Sequence, residues 1–337
     1  MDTAVVILNW NGLKMLQAYL PVLTERTTGC GAFIVVADNG STDGSVAWLH
    51  EHHPDVRTLC FDRNYGFTGG YNRALREIDA DYYVLLNSDI EVGRDWLEPL
   101  VNFMEEHPEA GICQPKLRSV AEPDRFEYAG AAGGFIDRYG YPFCRGRILS
   151  NLEKDTGQYD DPVECFWATG ACMVVRSALY HHLGGLDEAF FAHMEEIDFC
   201  WRAKLLGYQV WCVPASTVWH VGGGTLPNNS PQKLYFNYRN NLLMLYKNLP
   251  ERIRRRRIFI RMCLDGMSAA VYLATGKAAY CKAVWKAHRD YRRMRRDEDP
   301  SPFEEERNHI GLYDKSIVRK FFLSGKKLRW SDIERDL

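Results

Sequence analysis

Residues 81–91 read DYYVLLNSDIE, and the assignment of this stretch decides the fold. Tyr82 to Leu86 is a short apolar, β-favouring run, the pattern of a strand buried on both faces. It stops abruptly at Asn87-Ser88-Asp89. That sets a carboxylate at the carboxyl edge of the predicted sheet, where open α/β folds bind ligands. For an isolated Asn-Ser-Asp the more ordinary reading is a turn, so the flanking segments must decide.

Upstream, Ala4 to Leu8 predicts a buried strand ending in Asn9-Trp10-Asn11-Gly12. Leu13, Leu16, Leu20 and Leu23 follow at helical spacing, with Pro21 predicting a kink. Phe33 to Ala37 predicts a second strand, closed by the loop DNGSTDGS at 38–45. A helix over 46–52 and a third strand over 56–61 lead to RNYGFTGG at 63–70, which opens a helix running to Ile78. Beyond Asp89 a helix is predicted from Trp96 to Glu106. Strand and helix alternating at short intervals imply a mostly parallel sheet with helices on both faces. The polar and Gly-rich loops all follow strands, so they converge on one edge.

From 110 to 165 the pattern loosens into Gly-, Tyr- and Arg-rich sequence, read as a hairpin or lid-like excursion. A strand at 171–176, a helix through Leu183 and a stretch from His193 to Leu206 that reads as helical after its first residues restore order. Closing strands follow at 209–213 and 217–221. After Gly224 the composition changes, and five arginines occupy six positions at 252–257. The boundary is placed near 230, dividing a catalytic domain (1–230) from a helical, partly basic region (231–337).

The chain has 337 residues, with 42 Lys and Arg against 44 Asp and Glu. That balance gives no global case for nucleic-acid binding. The ten cysteines show no CxxC spacing, and several lie in apolar runs. This pattern is read as a reduced, cytoplasmic protein without zinc or disulfides. The opening MDTAVVILNWNG reads as a first strand and not as a signal peptide. The most apolar later stretch, 258–276, is interrupted by Arg261 and Asp265, which disfavours a membrane span.

Four pieces carry chemistry. Asp38, after the second strand, could accept hydrogen bonds from a nucleobase or ribose, or could serve an ordinary Asx-turn and helix cap, as Asp43 would. The segment RNYGFTGGYN (63–72) supplies Arg, Asn and a helix N-terminus suited to a diphosphate. It matches neither GxGxxG nor GxxxxGK[ST], which disfavours nicotinamide cofactors and P-loop chemistry. Asp89 offers one oxygen ligand to a hard divalent cation that takes other ligands from phosphates and water. His220, in WHVGGG, is either a second ligand or a structural histidine, and the glycine run favours the former. Glu195, Glu196 and Asp198 open a helix among aromatic residues, either as macrodipole partners or as a general base with its neighbours.

Taken in order, NWNG, DNGSTDGS, NYGFTGGYN, LLNSDIE, ATGACMVVR, GGLDEAFFAHMEEIDFCWRAKLLGY and WHVGG resemble family 2 glycosyltransferases of the rhamnosyltransferase-like branch, over residues 4–225. The resemblance implies the A-type glycosyltransferase fold, a Rossmann-like mostly parallel sheet flanked by helices, here with a C-terminal helical extension. It implies an inverting enzyme that moves a sugar from a UDP- or dTDP-linked donor to a hydroxyl of a glycan or lipid-linked acceptor in cell-surface polysaccharide assembly. Carried over by position, Asp38 contacts the nucleobase, and Asn9, Arg63, Asn64, Asn72, Asn87 and Ser88 complete the donor site. Asp89 and His220 hold Mg2+ or Mn2+. Glu196 falls at the base position with Glu195 as its alternate, and Gly170, Asp198 and Arg202 lie on the acceptor side. Two departures stand out: Asn87 replaces the first Asp of the family's DxD, and Glu196 is one methylene longer than the usual Asp.

The rivals are a sugar-phosphate nucleotidyltransferase, disfavoured because NWNG replaces its Gly- and basic-rich loop, and an inactive nucleotide-sugar-binding partner subunit. The arginines at 252–257 are read either as a solvated face or as a contact to an anionic membrane, which would make the protein peripheral on the inner face of the cell membrane.

Overall fold

Along the first strand, side chains alternate between two separate buried clusters. Ala4 and Val6 join one, and Val5 and Ile7 the other. A strand with period-two burial on both faces must lie between two layers, and the rest of the chain supplies them. The computed structural model describes residues 2–29, 31–222, 230–300 and 311–336.

In chain order the elements are β1 (Thr3–Asn9), α1 (Leu13–Thr27), β2 (Ala32–Asp38), α2 (Ser45–His52), β3 (Arg57–Cys60), α3 (Gly66–Arg76), β4 (Tyr82–Leu86), β5 (Ile90–Val92) and α4 (Glu98–Glu106). Then come β6 (Ala110–Ser119), β7 (Gly134–Ile136), β8 (Pro142–Cys144), β9 (Arg147–Ile148), β10 (Asn151–Leu152), β11 (Val163–Cys165) and β12 (Cys172–Arg176). The remainder is α5 (Ser177–His182), α6 (Glu195–Leu205), β13 (Gln209–His220), α7 (Pro231–Asn248), α8 (Glu251–Ala274), α9 (Ala278–Met294) and α10 (Ile317–Leu323).

Nine strands form the main sheet in the order β11-β13-β6-β12-β4-β1-β2-β3, with β5 added to β13. Pairing is parallel along β4-β1-β2-β3 and between β6 and β13, while β12 runs antiparallel to both β4 and β6. One face is covered by α1, α2 and α4 through residues such as Leu16, Leu49 and Leu100. The other is covered by α3, α5, α6 and α7 through residues such as Tyr71, Leu179, Phe199 and Leu243. A small antiparallel sheet, β10-β9-β8-β7, packs on this second side.

Several boundaries differ from the sequence reading. The stretch expected to loosen at 110 opens with β6, a ten-residue strand at the centre of the sheet. Its apolar pattern is broken because Gln114 and Lys116 are buried within it. Lys116 is charge-paired there with Asp155 at 2.9 Å and with Asp160. The two closing strands are one, β13, with a register irregularity between Val213 and Thr217. Helix α6 begins at Glu195, past the first residues of the 193–206 stretch, and α1 continues through Pro21 to Thr27. The helices after 230 contribute Leu242, Ile258, Tyr291 and Ile317 to the same buried cluster as the sheet.

Candidate active site

Strand register builds the site. Asn9 and Asp38 are Cα partners at the ends of β1 and β2. Asn9 Nδ2 donates to Asp38 Oδ2 at 2.9 Å and to Ser41 Oγ at 3.2 Å, and Ser41 N donates to Asp38 Oδ1 at 2.8 Å. Asp43 takes the capping work, accepting the N–H groups of Leu13 and Ser45. Gly40 adopts φ +78°, and a Cβ there would fall 2.6 Å from Arg63 Cα, so the two loops meet backbone to backbone. Asn39 locks them: its Oδ1 accepts from Tyr65 N at 3.0 Å, and its Nδ2 donates to Asn64 Oδ1 and Gly66 O at 3.1 and 3.0 Å. Arg63 is exposed beside the Tyr65 ring, 4.9 Å from its centroid.

β5 brings together Asp89 and His220, the two residues expected to hold a cation. Directly after Asp89, Ile90 pairs with His220, and Val221 N donates to Asp89 O at 3.1 Å. Backbone pairing thus brings the two residues together, with His220 Nε2 3.2 Å from Asp89 Oδ1. On the ring's other edge Nδ1 lies 3.5 Å from Glu127 Oε1, a charge contact without hydrogen-bond alignment. All three side chains are buried. Burial disfavours the imidazolium, but the two carboxylates outweigh it and push the His220 pKa up to about 10. Among the described residues no group of three or more His, Cys, Asp and Glu side chains converges on one point. A two-ligand site is what the geometry offers. Asp89 and His220 Nε2 are the two groups that would hold a divalent cation taking its further ligands from phosphate and water. Glu127 would then hold the imidazole from behind, as outer carboxylates do at metal-bound histidines.

The segment that carries Glu195 and Glu196 approaches through β12. Asn87 N donates to Ala171 O at 2.9 Å as the chain enters antiparallel β12. At neighbouring Gly170, a Cβ would lie 3.3 Å from the Phe67 ring and 3.7 Å from Glu196 Cβ. Gly170 therefore links Glu196 to the rim that carries Asp89. Ser88 Oγ and Asn9 Oδ1 flank the space above Gly12, 3.5 and 2.5 Å from where a Cβ would stand.

Glu196 follows a strained approach. Phe191, His193 and Met194 all have positive φ, at 65°, 69° and 71°. Such residues cost on the order of 1–3 kcal/mol each and persist only where contacts impose them. Here α7 imposes them. Asn240 Nδ2 lies 3.0, 2.8 and 2.7 Å from the carbonyls of Phe190, Ala192 and His193, and Arg239 donates to those of Ala189 and Phe190. Glu195 is buried and Glu196 half-buried, and each has an Oε2 sealed from water without a hydrogen-bond partner. Burial pushes both carboxyls up: Glu196 to about 7, and Glu195, with the adjacent Glu196 charge adding, well above the usual carboxylate range. Burial, reinforced by Lys233, holds His193 neutral down to about 4.

Three residues expected at the site are engaged elsewhere. Asn72 donates to Leu186 O at 2.7 Å and accepts from Tyr180 OH and Leu186 N, pinning α3 to the 180–188 segment. Asp198 and Arg202 form a buried ion pair at 2.8 Å. Asn248 donates to Asp198, while Arg202 donates to the carbonyls of Leu183 and Gly185. Being two residues beyond Glu196, Asp198 points to another side of the helix. Conversely, Glu127, Asn39 and Asn240 were not singled out from sequence. Of these only Asn39 carried a signal, its place in the loop after β2. Gly223 and Gly224 of the expected glycine run lie outside the described residues.

The sheet order and flanking helices are those of the A-type glycosyltransferase fold. The crystal structure of GalNAc-T7 with UDP, GalNAc and Mn2+ matches with a TM-score of 0.61 at 14% identity, over 97% of this chain and 58% of that one. The mannosyltransferase PcManGT from Pyrobaculum calidifontis, in complex with GDP-Man and Mn2+, matches with 0.51 at 16% identity, over 93% and 88%. The chain belongs to glycosyl transferase family 2, whose model matches residues 4–184. It is 27% identical over 226 residues to an N-acetylglucosaminyl-diphospho-decaprenol L-rhamnosyltransferase of Mycobacterium tuberculosis, covering 62% of this chain and 71% of that one. To the low-salt glycan biosynthesis hexosyltransferase Agl10 of Haloferax volcanii it is 24% identical over 255 residues, covering 72% and 75%. The protein is a glycosyltransferase, and family membership sets aside the nucleotidyltransferase and inactive-subunit alternatives.

Proposed function

We propose that this glycosyltransferase transfers a sugar from a UDP- or dTDP-linked donor to a hydroxyl of a lipid-linked or glycan acceptor, with inversion and with a divalent cation, in cell-surface polysaccharide assembly. The observation that supports this reading is that Glu196, its carboxyl pushed up to about 7, has its Cβ beside Gly170, next to the Ala171 carbonyl that pairs with Asn87 N. The decaprenol-linked acceptor named for the mycobacterial relative supports a lipid-linked substrate. The Mn2+ present in both of those solved structures supports the cation.

In this reading Asp38 and Asn9 orient the nucleobase and ribose, and the loop at 63–70 meets the diphosphate with Arg63 and backbone N–H groups. Mg2+ or Mn2+ held by Asp89 and His220 would supply positive charge against the diphosphate oxygens. Glu196 accepts the acceptor hydroxyl's proton as that oxygen bonds to the anomeric carbon, and the bond to the diphosphate oxygen breaks on the opposite face. Glu195, more deeply sealed and so more firmly protonated, is the poorer base.

Glu196→Gln tests the assignment. General-base help is worth about 10²–10⁴-fold, so turnover falls by that factor while the thermal shift produced by nucleoside diphosphate with Mn2+ stays at the wild-type value. A variant that keeps its turnover refutes the role.

A further inference from the structure

The exposed face of α8 has no partner among the described residues. At 100° per residue, Arg252, Arg255, Arg256, Phe259, Cys263, Gly266, Met267, Ala270, Val271, Leu273 and Ala274 fall on one side of the helix, and all are exposed. From Phe259 to Ala274 this face bears no charge, over about 24 Å of helix. Its large side chains stand open to solvent: Phe259 68%, Met267 59%, Val271 62% and Leu273 61%. The paired helix α9 adds Trp285, 62% exposed and lying under Arg289 with 5.3 Å between guanidinium and ring centroid. Soluble chains rarely leave an apolar strip of this length uncovered.

Charge identifies the cover. Residues 251–296 hold fourteen Lys and Arg against three Asp and Glu, in a chain whose net charge is -2. One pair, Arg261 with Asp265, is buried and structural. The exposed surplus includes Arg252, Arg255 and Arg256 in line with the apolar strip, and Lys282, Lys286, Arg289, Arg292, Arg293 and Arg296 around Trp285. A nucleic acid would satisfy the cations and leave the strip wet. A second copy would bury the strip and set like charges against each other. An interface that is anionic at its surface and hydrocarbon beneath satisfies both, with the long basic side chains reaching up to headgroups. Among the described residues no helix is long and apolar enough to cross a membrane, so the contact lies along the surface.

We propose that the α8–α9 hairpin is a monotopic membrane anchor, laying the Phe259–Ala274 strip into the headgroup boundary of an anionic bilayer. This goes beyond the transferase reading and does not rest on it, because vesicle binding is read without donor or acceptor. The full chain is floated with phosphatidylcholine vesicles, with and without phosphatidylglycerol, at low and high salt. The expected result is flotation with the anionic vesicles only, reduced by about tenfold in Phe259→Ser/Met267→Ser/Val271→Ser even at low salt, and comparably in Arg252→Glu/Arg255→Glu/Arg256→Glu. These positions are exposed, and circular dichroism matching wild type confirms that the variants fold. No flotation of wild type, or flotation unchanged in the triple serine variant, overturns the proposal. So does a stable dimer in gel filtration that the serine variant dissociates, since the strip is then an interface between copies.

Discussion

Glu127 shows how a single side chain can matter without touching a substrate. It faces His220 Nδ1, so the ring presents Nε2 to Asp89 and to whatever replaces the proton between them. Outer carboxylates of this kind typically govern about 10–100-fold in metal affinity. Glu127→Gln is therefore expected to raise the Mn2+ concentration needed for half-maximal activity by about that factor, while affinity for the nucleoside in the absence of metal stays unchanged. Glu196 makes a different prediction. Only its carboxylate form accepts a proton, so kcat climbs as pH rises through about 7, and a pH–rate profile lacking that ascending limb would contradict the base assignment. Glu195 concerns stability. Its folded-state proton is held above the ordinary 4.5 by burial and by Glu196, so the native state loses stability as pH rises from that value. Glu195→Gln should raise Tm by several degrees at about pH 8 and leave it unchanged at about pH 4, as read by calorimetry.

At the level of elements, α7 acts as a strap. Three left-handed residues precede Glu196, and their strain is offset by hydrogen bonds from Asn240 and Arg239, each worth about 1 kcal/mol net and more when a buried carbonyl would otherwise go unpaired. Asn240→Leu keeps the branched shape and removes the donors. Activity is expected to fall by about tenfold or more through misplacement of Glu196, with KM for the donor little changed, in steady-state kinetics. The same element marks where sequence reading stopped. β1, β2 and β4 were legible because their apolar runs end in polar loops, and Asp38, Asp89 and His220 were legible as strand-end residues. β6 was not, because Gln114 and Lys116 interrupt its pattern and find partners only in the folded chain. Nor was the strap, since an Asn inside an amphipathic helix carries no local mark of the loop it will hold. Asn72, Asp198 and Arg202 lie inside the site motifs, and their partners in the folded chain (Leu186 and Tyr180 for Asn72, each other for Asp198 and Arg202) carried no mark in the sequence.

Over the whole molecule, sheet and C-terminal helices share one core. Leu242, Leu243, Met244 and Leu245 of α7 are buried in the same apolar cluster as residues of β4, α3 and α6. Burial of four such side chains contributes about 6–12 kcal/mol at 1.5–3 kcal/mol each, comparable to the whole stability of a typical domain, and is lost when α7 is removed. A fragment of residues 1–230 is thus expected to lack a cooperative thermal transition and to elute as aggregate, although it contains every residue proposed to meet the donor.

The short pairing of β5 with the end of β13 has one more consequence. Ile90–Val92 form the final rungs of that ladder, with only three pairs holding them to Val218, Trp219 and His220. Ladder ends are where native proteins fray first, and this end carries Asp89 on one thread and His220 on the other. Whatever bridges those two side chains closes the fray like a clasp, so deuterium uptake at amides 90–92 and 218–221 becomes a gauge of how often the donor pocket is loaded.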